Sequence, residues 1–389
     1  MQTKLSLITL ACLFLGALSG FFLQEQILAI EVLGTIYLDA LKLLVFPVIV
    51  VYVISAVYES GSNKGALVWK AVLLFAVLFV VSFLISSGIV FVLNPADHFE
   101  LHASETTVEA TSFSASSILL NVLPKDLAGF FMGRYLLFSI LVSYAVGFLA
   151  YRFKWDTFIA GINWLKKYIN LILKALMYYA PVAVFSLMGV SVFRFGADVL
   201  LSGLAYIFVA YLAGLVVLAL VMILPVKLFK GISLLGYVKK LYPVWLISFS
   251  TCSSAATMPY TLKVCKDDLQ VNPHVADIVV PLGCTIHMCG GAVSFSLLGI
   301  FCAHFFGVAI DPLLYATMLA SALFINMAAP GIPGGGIIIG ATYLQGLGIP
   351  LDFMGFYSGI YKVLDMLYTT LNVTGDISAC TLLDKGASL

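Results

Sequence analysis

Between Lys362 and Cys380 the chain reads KVLDMLYTTLNVTGDISAC, an apolar run with two aspartates inside it. Asp365, Thr369, Asn372 and Asp376 lie at offsets of four, seven and eleven residues, and at about 100° per residue these align on one narrow stripe of a helix. Val363, Leu371, Val373 and Ile377 make the opposite face apolar. Across the chain 62% of residues are apolar and 10% charged, against roughly 45–50% and 25% in soluble domains. That composition assigns an all-α polytopic membrane protein. A carboxylate costs about 2.5–3.5 kcal/mol at the centre of a bilayer, and those that persist there face a polar cavity or an ion path. The stripe therefore predicts a wet site inside the membrane.

With 389 residues, roughly eight to eleven spans of about 20 residues fit, so residues 1–389 are expected to form one integral membrane domain. A formal charge of +1 argues against nucleic acid as a partner. The first stretch, from Met1 to Phe22, continues past any small-residue cleavage point and follows a single Lys, so a retained span is expected rather than a signal peptide. The seven cysteines include no CxxC pair and are expected to be reduced, buried thiols.

Apolar runs place spans near residues 5–24, 33–57, 69–94, 134–151, 161–190 and 199–226. Basic clusters at Lys64 and Lys70, at Arg152 and Lys154, at Lys166 and Lys167, and from Lys227 to Lys240 alternate with loops lacking that excess. By the positive-inside rule the basic set and the N-terminus are cytoplasmic, in a cell (inner) membrane. The Ser- and Thr-rich segment from Asp97 to Lys125 reads as an exposed loop. Lys42 and Pro47 read as a snorkelling base and a kink.

After Lys240 the pattern changes. An interrupted apolar piece (245–262) precedes a long helix carrying PLGCTIHMCGGAV (281–293), and a second interrupted piece (324–340) precedes the stripe-bearing helix. Thr285, His287 and Gly290 are spaced like Thr370, Asn372 and Gly375. Paired Gly/Pro/Ser interruptions in corresponding positions are the sequence pointer to a secondary transporter's binding site. Ser253 and Ser254, and Gly331, Ile332 and Pro333, sit where each piece must turn. Non-helical backbone at that depth survives only inside protein or along a water-filled cavity. Re-entrant hairpins supply that setting, and their half-helix ends offer N–H groups and a dipole to a carboxylate. Asp365 then accepts an ammonium group, and Asp376 with nearby carbonyls suits a hard cation such as Na⁺. The combination describes a pocket for a zwitterion plus a coupling ion.

These residues resemble the dicarboxylate/amino acid:cation symporter family, of glutamate-transporter type. The run from Ser250 to Pro259 is similar to the serine-rich tip of the family's first hairpin, and that from Pro281 to Gly291 to its following helix. Pro330–Pro333 with the adjoining Gly334 looks like the second hairpin's tip, and Asn372–Asp376 matches the ion-site motif of the last helix. Tyr179–Phe185 and Lys42–Pro47 resemble segments of the fifth and second spans. The resemblance implies a homotrimer of protomers with eight transmembrane helices and two re-entrant helical hairpins related as inverted repeats. It also implies an elevator mechanism, with a scaffold mainly from 1–57 and 134–190 and a transport core mainly from 69–94 and 199–382.

Departures from the family pattern refine the expectation. Acidic-substrate members carry an Arg three residues after the aspartate matching Asp365, and here that position is Tyr368. A phenol supplies neither the charge nor the bidentate fork, so a small neutral amino acid is the leading substrate, with acidic amino acids and dicarboxylates as the alternative. His287, Cys289 and Gly291 stand where the family has Asn, Asp and Thr, which implies loss of the sodium site that uses that Asp. The resemblance keeps a Na⁺ site at Asp376 with the carbonyls of Gly283, His287 and Asn372, and a second around Thr285 and Met288. His287 also suggests H⁺ as coupling ion. The substrate-binding set is Ser253, Ser254, Gly331, Ile332, Pro333, Gly334, Asp365, Tyr368, Thr369 and Asn372. No nucleophile-and-base constellation suggests an enzyme. An anion-conducting channel and a non-transporting relative remain as other classes.

Overall fold

The computed structural model describes residues 2–62, 66–96, 136–195, 198–326 and 335–384, and every regular element among them is helical. The polar segment after Asp97 and the expected second tip, Gly331 to Gly334, lie outside the described residues. Helices α1 (Gln2–Leu23), α2 (Glu31–Ser62), α3 (Ala66–Leu93), α4 (Leu136–Phe153) and α5 (Asp156–Phe195) account for the first five expected spans. The sixth is α6 (Asp198–Val217), which runs through a π-helical stretch, Leu218–Ile223, into α7 (Leu224–Lys230).

Beyond Lys240 the helices break where small and polar residues interrupt them. Helix α8 (Leu234–Thr251) is followed after two residues by α9 (Ser254–Lys263), and α10 (Pro273–Ile286) likewise by α11 (Cys289–Phe305). Then come α12 (Pro312–Asn326), α13 (Gly335–Gly346) and the uninterrupted α14 (Met354–Leu383). Cys252 ends α8 in the left-handed region, φ 51° and ψ 40°, and extended Ser253 caps α9 by accepting a hydrogen bond from the Ala256 N–H at 3.2 Å. Serine at such a cap satisfies a donor that the helix start leaves without a partner.

Trp69 and Val92 on α3 are 75% and 83% exposed, while α14 is buried along nearly its whole length, its aspartates included. Among the described residues, four stretches are long and apolar enough to cross a membrane: Ala11–Tyr37, Leu67–Leu93, Gly203–Lys230 and Pro273–Phe305. An exposed apolar surface around a largely apolar core that encloses the polar face of α14 suits lipid as solvent.

Packing falls into two groups. Helix α5 packs on α1 and α2, and α4 on α2; in the other group α3 packs on α11 and α6, and α14 on α8, α10 and α11. Glycines permit the closest approaches. A Cβ on Gly16 of α1 would lie 2.4 Å from the Phe185 carbonyl oxygen of α5, and one on Gly20 equally close to that of Gly189. Small residues allow helix backbones to meet where no hydrophobic force separates protein from lipid. Gly355 and Gly359 of α14 face Leu187 of α5 and Leu13 of α1 across the boundary between the groups.

Gly16→Val is expected to force α1 off α5, because neither backbone yields, at about 1–3 kcal/mol. Gly88→Ala, with nothing within 4 Å of the added carbon, is the control. Thermal melting of the two purified variants in detergent checks the difference.

Candidate functional site

A cleft opens where the helix breaks converge on α14. Its wall combines Cys252, Ser253 and Ser254 from the α8–α9 turn, Met288, Gly291, Ser294 and Phe295 from the α10–α11 turn and α11, and Asn326, Gly336 and Ile339 from α12 and α13. Helix α14 contributes Tyr361, Asp365, Tyr368, Thr369 and Asn372. The cleft spans ≈ 550 Å³ of non-protein space, open solvent at its mouth included. Of the residues expected to bind substrate, Ser253, Ser254, Asp365, Tyr368, Thr369 and Asn372 therefore meet at one cavity, from two separate segments.

Each polar group has a distinct setting. Asp365 is 8% exposed, and its Oδ1 accepts a hydrogen bond from Thr369 Oγ1 at 3.2 Å. Thr369 thus orients the carboxylate from one turn further along the helix. The Ser253 hydroxyl is engaged as the cap of α9, so its availability to a ligand is reduced. Asn372 Oδ1 accepts the Gly290 N–H at 2.8 Å and so fastens the start of α11 to α14. That contact requires glycine, since a Cβ on Gly290 would stand 2.2 Å from the Tyr368 carbonyl oxygen. Among the described residues, the Tyr368 hydroxyl and Asn326 Oδ1 are buried without a hydrogen-bond partner. A buried polar atom left unpaired costs about 1–3 kcal/mol, and a polar ligand in the cleft relieves it.

The residues expected at the cation sites divide. Asp376 is 1% exposed and its Oδ1 meets His287 Nδ1 at 2.8 Å. The Gly283 carbonyl accepts the His287 backbone N–H at 2.8 Å, and a Cβ on Gly283 would touch Asp376 Oδ1 at 2.3 Å. Gly283, His287 and Asp376 are therefore neighbours. Thr285 is exposed and donates to the Pro281 carbonyl at 2.8 Å, whereas Met288 lines the cleft.

A family match accounts for this arrangement. The model of the sodium:dicarboxylate symporter family matches residues 5–386. The chain belongs to that family. Family members are transporters, and the chain is a multi-pass membrane transporter, not an enzyme. It is 23% identical to the proton/sodium-glutamate symport protein of Bacillus subtilis over 92% of its own length and 86% of the relative's. It is 23% identical to the proton/glutamate-aspartate symporter of Escherichia coli, covering 90% and 84%. To the C4-dicarboxylate transport protein of Yersinia enterocolitica it is again 23% identical, over 97% and 90%.

One feature of this family member was missed in the sequence. Helix α8 is laced to α14 by Tyr237 and Ser378 at 3.1 Å, by Trp245 Nε1 donating to Thr374 Oγ1 at 2.8 Å, and by Ser248 and Thr370 at 3.0 Å. Thr370, Thr374 and Ser378 recur every four residues, beside the acidic stripe. That spacing was the available signal, because hydroxyls at i, i+4 share a helix face. Thr374→Val is expected to strand the indole N–H and cost about 1–3 kcal/mol. A double-mutant cycle with Trp245→Phe, read by melting temperature, should find the two changes non-additive.

Proposed function

We propose that this protein is a cation-coupled secondary symporter whose cleft binds a small carboxylate-bearing solute, with acidic amino acids and C4-dicarboxylates the first class to test. The observation that carries the reading is the cleft itself: a buried carboxylate, Asp365, and the capped start of α9 line one cavity in a lipid-facing molecule. In this reading Asp365 takes the substrate's ammonium group. The α8–α9 tip at Ser253 and Ser254, together with Gly331, Ile332 and Gly334 beside Pro333, which has no N–H of its own, takes its carboxylate through N–H groups. Thr369 and Asn372 hold the wall in place.

The substrates in the relatives' names do not support the neutral amino acid expected from Tyr368. One observation keeps it as a second reading: among the described lining residues there is no Arg or Lys. An acidic side chain entering this cleft finds a phenol instead of a guanidinium.

The architecture proposed with this function has eight spans and two re-entrant hairpins, assembled as a homotrimer in the lipid of the cell membrane with the N-terminus cytoplasmic. The α1, α2, α4 and α5 group is the scaffold, and the group around α14 moves against it like an elevator.

Uptake into proteoliposomes, with Na⁺ and pH gradients imposed separately, tests the reading across glutamate, aspartate, succinate, alanine and serine. Accumulation of an acidic solute is expected, and accumulation of alanine or serine alone selects the second reading. Asp365→Asn should lower amino-acid affinity about 10- to 100-fold, the worth of a hydrogen bond to a charged group. A solute without an amino group should be far less affected.

A further inference from the structure

The side chain against Asp376 bears on which ion drives this carrier. The His287 ring joins two partners, Nδ1 at 2.8 Å from Asp376 Oδ1 and Nε2 at 2.9 Å from Cys289 Sγ. One face stacks on Phe75 of α3, with ring centroids 4.4 Å apart and planes 14° from parallel. Gly375 of α14 borders the ring, where a Cβ would stand 2.5 Å from His287 Cε1. His287 is 2% exposed. The slot between Phe75 and Gly375 is thus closed around an imidazole, and the ring nitrogen sits where a cation bound to that carboxylate oxygen would sit.

The donor set does not suit Na⁺. A hard cation gathers oxygen ligands at short range, whereas imidazole nitrogen and thiol sulfur favour softer ions. We propose that the His287 side chain occupies the cation position at Asp376, so that this position excludes Na⁺ and His287 determines which ion the carrier uses. The Cys289 thiol and Phe75 hold the ring on the carboxylate, and glycine at 375 leaves it room. The proposal deepens the symporter reading, since an ion site matters only in a coupled carrier.

Equilibrium binding of radioactive Na⁺ to the purified full chain, in a K⁺ background, tests the proposal without any substrate or transport assay. It therefore succeeds or fails independently of whether uptake is seen. His287→Ala, and as a second variant His287→Asn, should each bind an additional Na⁺ per chain relative to wild type. Adding Asp376→Asn to either should return the count to the wild-type value. If neither variant gains Na⁺ at saturation, or if Asp376→Asn alone lowers wild-type binding, the proposal is overturned. In ¹⁵N-histidine NMR of the wild-type protein, exchanging K⁺ for Na⁺ should leave the His287 ring signal in place. Its displacement by Na⁺ also overturns the proposal.

Discussion

The structure depends on keeping two carboxylates inside a molecule whose outer surface is apolar. Each would be costly in hydrocarbon, so α14 is wrapped by nearly every other helix and both aspartates are answered by protein. Thr369 donates to Asp365, and the His287 ring meets Asp376. The remaining polar face of α14 is answered by the hydroxyl and indole contacts from α8. Burial of one polar helix thus dictates the placement of the broken helices around it.

Those breaks serve the same end. A continuous helix presents side chains only, whereas a helix stopped inside the molecule presents backbone N–H and C=O groups as well. The α8–α9 turn brings a helix start to the cleft, and the α10–α11 turn brings Gly290 close enough for Asn372 to accept its N–H. Glycine at 290 and serine at 253 are local solutions to backbone demands, and the binding cavity is the space those solutions leave.

Much of this was legible in the sequence. The hydropathy of the first six spans and the stripe of Asp365, Thr369, Asn372 and Asp376 fix helices and a buried polar face by periodicity alone. The interruption at Ser253 locates the α8–α9 break because Ser is a weak helix former in the interior, whereas the break at His287 and Met288 divides what the sequence reads as one long helix through residues 281–293. What periodicity does not carry is which partner each polar group finds. Asn372 reads as a ligand for substrate, yet its oxygen is spent on Gly290, and Asp376 reads as an ion ligand, yet a histidine 89 residues away reaches it. Such pairings depend on the three-dimensional meeting of α10, α11 and α14. Tyr368 illustrates the same limit: its chemistry argues for a neutral substrate, while the named substrates of whole-chain relatives argue for acidic ones.

The most direct test of the central claim is a structure determined with the accumulated solute bound. The account predicts solute density in the cleft between Ser254 and Asp365, with an amino group, where there is one, beside the Asp365 carboxylate. Density for the solute elsewhere in the molecule, with that cleft empty, would contradict it.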